Sequence, residues 1–261
     1  MSWIITGSFA QPDEPEALAY IAAVEAADGE TLEDGVKFAY NSFIKGCKAD
    51  GIWDAIKASC ILAGARTTNG ALVPLVGDAP DPYNFDLVSD TDYDRKAGLK
   101  GDGSTKYLDS NRNNNADPQD SQHLSVFASA APTYTTTRMT IGAGGSGQSG
   151  ASHINSTATS GQIVMRSRSS TAQLISATYA GLLSISRASS AGYSYRHNSV
   201  PGSIAQVSAT PFNANIQIFA TEASRFSDAR LAFYSIGESL DLALLDSRVT
   251  TLMSDLATAI P

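Results

Sequence analysis

Nine short runs follow one another without a helical rhythm between them: TKYLDS, HLSVFAS, YTTTRMTIGAG, QIVMRSRS, GLLSISR, AGYSYRHN, IAQVSAT, NIQIFAT and ARLAFYSIG. Each alternates apolar and polar residues or is rich in β-branched ones. Each ends in a cluster of glycine, serine or asparagine. Alternation at period two marks strands with one buried face, and the clusters mark turns. Many such strands in sequence predict an antiparallel β-sandwich of the jelly-roll kind over residues 99–236. The glycine-serine stretch GAGGSGQSGAS reads as a turn or loop, not a phosphate cradle, because no Lys-Ser or Lys-Thr follows it.

The flanks have a different period. PEALAYIAAVEAAD, opened by Pro15 and stopped by Gly29, reads as a helix. TLEDGVKFAYNSFIKGCKADG begins with Thr31 and Asp34 at capping-box spacing and puts Leu32, Val36, Phe38, Ala39, Phe43 and Cys47 largely on one side. IWDAIKASCILAGA places Ile52, Ile56, Cys60 and Leu62 at similar steps and completes an expected three-helix unit, with Trp53 among them read as a core indole over the alternative of a sugar platform. At the other end Leu242, Leu245, Val249, Leu252, Leu256 and Ile260 form a helical stripe that packs onto its own sandwich or onto copies of itself. The fold class is thus α+β. Its expected division is an N-terminal arm over 1–16, a helical anchoring or oligomerisation domain over 17–70, a linker and first strand over 71–98, the β-sandwich over 99–236 and an amphipathic helix over 237–261.

Charge narrows the partners. The net formal charge is −8, and residues 1–98 carry 16 acidic against 7 basic side chains. That front half is unsuited to displacing counterions from duplex nucleic acid, so no nucleic-acid partner is expected. The middle is mildly cationic through Arg112, Arg138, Arg166, Arg168, Arg187, Arg196 and Arg225. Arginine forks suit carboxylates and sulfates, as on an anionic glycan, but solvated strand positions are the favoured reading of them. Cys47 and Cys60, the only cysteines, lie in apolar patterns and read as buried free thiols of a reducing compartment. The first residues, MSWIITGSFAQPDEPEA, lack the basic start and apolar core of a secretory leader, and no apolar run reaches the roughly 20 residues of a membrane helix.

Two segments together carry a resemblance. In GLKGDGSTKYLDS followed by HLSVFAS, the residues Gly101, Asp102, Gly103, Tyr107, Val126 and Phe127 resemble the opening of laminin G-like, concanavalin A-like jelly rolls. In FSDARLAFYSIGESLDLALLDSRV, Asp228, Arg230, Phe233, Tyr234 and Leu240 resemble their closing strand and short helix. The match covers about residues 99–245. The helical front joined to such a domain is similar to virion proteins of tailed bacteriophages, cyanophages among them. That resemblance implies a non-enzymatic structural component of tail appendage, fibre or capsid surface, assembled in the host cytoplasm. Its implied partners are other virion proteins and further copies of itself, a trimer being one closure, with a host-surface glycan as ligand. No membrane partner is implied. The alternatives are a decoration or adaptor protein without a ligand, and a glycan hydrolase.

The residues discriminate among these. Glycoside cleavage needs two carboxyl groups, one of them protonated, flanking the bond. Between Leu99 and Ile236 there is one glutamate, Glu222, and Asp102, Asp109, Asp117, Asp120 and Asp228 are expected in turns. No catalytic residues are therefore assigned. His123, His153 and His197 stand alone on separate segments, without zinc-ligand spacing. For a glycan, the expected patch is Tyr193, Tyr195, Arg196 and His197 in AGYSYRHN, with Tyr193 and Tyr195 equally suited to packing against the other sheet. In DSNRNNNADPQD, side-chain oxygens recur at Asp109, Asn111, Asn113, Asn115, Asp117 and Asp120, the order of a calcium loop. Asn114 stands where such loops need glycine, and the last ligand is a short aspartate. A chain of Asx turns braked by Pro118 explains the segment as well.

Overall fold

The computed structural model describes residues 10–222 and 224–261, so the first nine residues of the expected arm lie outside the described residues. The helices α1 (Pro15–Asp28) and α2 (Asp34–Ala49) lead to a single tight turn, Trp53–Ala55, and to strand β1 (Ile56–Ile61). After the one-turn helix α3 (Thr68–Ala71) come β2 (Asp81–Tyr83), β3 (Tyr93–Asp94), β4 (Gly98–Lys100), β5 (Tyr107–Asn113), β6 (Gln122–Ala130), β7 (Arg138–Ala143) and β8 (Ala151–Ser156). The rest are β9 (Gln162–Ser169), β10 (Gln173–Ser176), β11 (Gly181–Arg187), β12 (Tyr193–His197), β13 (Val200–Ile204), β14 (Asn215–Ile218), β15 (Arg230–Gly237) and α4 (Leu242–Ala259).

The strands form two antiparallel sheets. One runs β13-β12-β11-β6-β15-β4-β3, with β1 also on β15; the other runs β10-β9-β8-β7-β14-β5-β2. Strand β15 is paired along both sides: β6 flanks one side, and β4 and β1 share the other, β4 at Arg230 and Leu231 and β1 from Phe233 onwards. Between the sheets lies a core that includes Leu108, Leu124, Val126, Ile141, Ile154, Met165, Ile185, Ile218 and Leu231.

A second core joins the helices to the outer face of the eight-stranded sheet. Val36, Phe43 and Cys47 of α2 and Leu245, Val249, Leu252 and Leu256 of α4 pack with Phe233, Ala232 and Leu182. The Phe43 and Phe233 rings meet edge to face at 5.6 Å. Hence LAFY in β15 reads as an unbroken apolar run: both of its faces are covered. The α4 stripe is satisfied within its own chain, which removes it as a seam between copies. Both thiols are free and buried, and burial pushes Cys47 and Cys60 up to about 12.

Three local expectations are corrected. IWDAIKASC is a turn and a strand, not a third helix; its apolar residues recur at helical steps because β1, too, is buried on both faces. The capping box at Thr31 does not form, since α2 starts at Asp34 after Glu33. IAQVSAT is mostly irregular, and the strand there is β13, VPGSI, placed at the sheet edge where Pro201 can be tolerated.

Candidate functional site

The layering leaves one broad face without a helix over it, the outer face of the seven-stranded sheet. Register defines a lateral row across it: Asp81, Asp109, Gln217, Gly142, His153 and Arg166 are successive cross-strand partners. Gly142 has a steric reason to be glycine, because a Cβ there would lie 2.5 Å from the Cβ of His153.

Over this row sits a cavity of about 510 Å³, lined by Thr136, Thr137, Ser146, His153, Asn155, Val164, Ala172 and Arg225. Its floor is strand: His153 and Asn155 from β8, Val164 from β9. One wall is the β7–β8 loop, held by Arg166. That guanidinium is fully buried without a carboxylate and donates to the carbonyls of Gly145 (3.0 Å), Gln148 (2.6 Å), Ser169 (2.6 Å) and Ser170 (2.8 Å). Arg225 also lines the cavity, from the segment 224–226. That segment is pinned where the Met139 amide donates to the Arg225 carbonyl at 2.8 Å and Arg138 donates to the Phe226 carbonyl at 3.1 Å.

The lining is rich in hydrogen-bonding side chains and contains no carboxylate. His153 is 3% exposed, and its Nδ1 has no hydrogen-bond partner. Burial, reinforced by the charge of Arg166, pushes its imidazole down to about 4, so the ring is neutral at pH 7. Arg225 is exposed, and its backbone is left-handed with φ 53°. A non-glycine residue held there is worth a functional reading.

The arginines sort by use. Arg112 pairs with Asp117, Arg138 donates to the carbonyls of Gly103 and Phe226, Arg187 to four further carbonyls, and Arg196 pairs with Asp246 at 2.7 Å. Arg166 and Arg168 likewise serve loop carbonyls. Of the seven noted in the sequence, only the Arg225 guanidinium makes no hydrogen bond or ion pair among the described residues. Sequence could not single it out, because the partners of the others are loop carbonyls and carboxylates, most of which only the fold brings to them.

The patch expected in AGYSYRHN does not assemble on one surface. Tyr193 is buried between the sheets, its hydroxyl donating to the Met165 carbonyl at 3.0 Å and its ring under Arg187 at 5.2 Å. Tyr195 is half-buried and stacks on His197 at 6.1 Å on that same inward side, and burial lowers the pKa of His197. Arg196 points the other way, to Asp246 on α4.

The oxygen-rich stretch is likewise spread out. Asp109, Asn111 and Asn113 belong to β5, so Asp109 is in a strand and not a turn. Asn111 donates to the Ala79 carbonyl at 2.9 Å, Asn113 and Asn115 both reach Asn213, and Asp117 is taken by Arg112. Asp120 lies beyond, with one buried oxygen unpartnered. What the loop closes on is Arg168, which donates to the carbonyls of Asn114, Pro118 and Ser121. Among the described residues no group of three acidic, histidine or cysteine side chains converges as a metal site.

The fold has known counterparts. The binding domain of botulinum neurotoxin serotype D superposes with a TM-score of 0.53 at 12% identity, over 79% of this chain and 52% of that one. A carbohydrate-binding domain of the Ruminococcus gnavus IT-sialidase, solved with α2,3-sialyllactose, gives a TM-score of 0.40 at 9% identity, covering 57% of this chain and 95% of its own. Domains LG4-5 of the mouse laminin α1 chain give 0.38 at 12% identity, covering 65% and 47%. The chain thus spans about half the length of the toxin domain, and at this identity the likeness is one of fold. No protein-family model matches the sequence, and no curated protein matches it.

Proposed function

We propose that this chain is a non-enzymatic, lectin-like module that binds an acidic glycan in the cavity over β8 and β9. The observation that carries the reading is the lining: Asn155, Ser146, Thr136 and Thr137 offer hydrogen-bonding side chains, and Arg225 offers an uncommitted cation. A preformed cavity on a rigid sheet, walled by loops, suits a polyhydroxylated ligand, and Arg225 suits a carboxylate or sulfate on it. Likeness of fold to a toxin's binding domain is in keeping with this.

Binding is favoured over hydrolysis for a specific reason. One small cavity beside Trp53, lined by Glu16, Lys48 and Asp54, does bring two carboxyl groups together. There the Lys48 ammonium bonds to Glu16 and holds its carboxyl down at about 2, the opposite of a protonated general acid.

Binding to an array of neutral, carboxylated and sulfated glycans tests the proposal. Carboxylated or sulfated glycans are expected to bind, Asn155→Ala to abolish binding, and Arg225→Ala to weaken it by about tenfold or more. Turnover of any glycan without stable binding would overturn it.

A role in a virion, among other virion proteins and as a homo-oligomer, is supported by the sequence resemblance of the helical front joined to the jelly roll. Calcium at Asp109–Asp120 rests on the sequence spacing alone. Particle fractionation tests the virion placement: a protein that stays in the soluble pool after infection is not a virion component.

A further inference from the structure

An aromatic row begins one residue beyond Arg225 of the cavity lining. The next residue, Phe226, lies 6.1 Å from the ring of Tyr107, and Tyr107 stacks on Tyr83 at 4.3 Å with the planes 5° apart. Tyr107 and Tyr83 are cross-strand partners on β5 and β2, pointing outward on the same face as the cavity, and β2 is the sheet edge. Tyr83 is 44% exposed, a large ring left open at the end of an aromatic row. One of its faces is taken by Tyr107.

The cavity and the aromatic row differ in the charge around them. Around the tyrosines stand Asp109 and Asp81, cross-strand partners two residues along from Tyr107 and Tyr83. Asn215 donates to the Asp109 carboxylate at 3.0 Å. In the cavity stand Arg225 and His153, with no carboxylate in the lining. From Tyr107 on β5 to Asn155 on β8 the sheet spans three strand spacings, roughly 14 Å, more than one sugar ring spans.

We propose that the Tyr83–Tyr107–Phe226 row is a second subsite of the same binding face. It takes a neutral pyranose ring of an oligosaccharide whose acidic group lies at Arg225. This deepens the glycan-binding reading and rests on it. An exposed aromatic ring suits the apolar C–H face of a sugar, the flanking Asp81, Asp109 and Asn215 accept or donate to its hydroxyls, and the two aspartates repel a second acidic sugar at that end. The ligand therefore has a direction: acid over β8, neutral residues toward β2.

The test uses the full chain, glucuronic acid, and glucuronosyl oligosaccharides lengthened by one, two and three neutral hexoses, titrated calorimetrically. Sulfated analogues of the same lengths distinguish the source of the acid group. Affinity is expected to rise about tenfold at the length that reaches Tyr83, a gain of the size of one aromatic contact. Tyr83→Ala and Tyr83→Leu should cancel that gain while leaving glucuronic acid binding unchanged. The Leu variant keeps apolar bulk but no ring face. The second subsite is overturned if lengthening adds no affinity, or if Tyr83→Leu weakens every length alike. In that case the cavity stands, provided Asn155→Ala still abolishes binding. Failure of every acidic glycan to bind overturns both proposals.

Discussion

The hydroxyl of Tyr193 donates to the carbonyl of Met165 at 3.0 Å, bridging β12 of one sheet to β9 of the other. This places a residue that sequence periodicity offered as a glycan contact inside the sandwich. Tyr193→Phe removes this buried hydrogen bond between the sheets. A loss of about 1 kcal/mol in a denaturant titration is expected. Glycan affinity should not change, and a binding defect in this variant would return AGYSYRHN to the candidate sites.

Arg168 gives the oxygen-rich loop its shape. Its guanidinium reaches three carbonyls between Asn114 and Ser121, and burial pulls the group down to about 10, still cationic at neutral pH. Arg168→Met should cost on the order of 3 kcal/mol, because the carbonyls it serves lose a charged donor. If the loop folds around this internal cation, millimolar calcium leaves the melting temperature of the wild type unchanged. A calcium-dependent rise would instead establish the metal loop that the spacing of Asp109 to Asp120 suggests.

What sequence showed and what it hid follow from burial. Strands with one open face, such as β5 with Leu108 and Ser110 inward and Asp109 and Asn111 outward, announce themselves by alternation. Strand β1 is covered on both faces, so Ile56 and Cys60 fall at a helical step without a helix. Strand β8 was missed because ASHINS is short, polar and adjoins a glycine-serine loop; yet its His153 and Asn155 floor the cavity. The aromatic row was hidden for another reason: Tyr83, Tyr107 and Phe226 come from three distant segments that only strand register unites.

Acid should weaken the fold before its carboxylates titrate. Burial pushes His123 down to about 4, against a smaller opposing effect of its bond to the Glu238 carbonyl, and His153 is also near 4. Below the unfolded value near 6.5 the unfolded chain gains protons that the folded chain refuses. Stability is therefore complete above about pH 6.5 and falls as pH drops toward 4. Each histidine contributes on the order of 3 kcal/mol at most. His123→Gln should flatten the stability–pH slope across this window, whatever its effect at pH 7. An unchanged slope would mean the ring is not buried neutral.

Arg225 separates function from stability. Its left-handed backbone costs a non-glycine residue about 1–2 kcal/mol, which Arg225→Gly relieves while removing the guanidinium. The variant is expected to be as stable as the wild type or slightly more so. Its affinity for acidic glycans should fall by about tenfold or more, and what binding remains should lose its dependence on salt. A salt dependence that survives the substitution would assign the anion to another group.

The last expectation concerns whether the helices are a separate body. Leu252 and Val249 of α4 lie in one core with Phe43 of α2 and Phe233 of β15, so the helical layer has no apolar interior that the sheet does not share. Arg248 of α4 also pairs with Asp50, just after α2, at 2.7 Å. Unfolding followed by far-ultraviolet dichroism, which weights the helices, and by tyrosine fluorescence, which weights the sandwich, should therefore give coincident transitions. Leu252→Ala should shift both by the same amount, about 3 kcal/mol, because a cavity there loosens the shared core. A variant that melted the helices while the sandwich signal held would show that residues 17–70 and the terminal helix fold as a unit of their own.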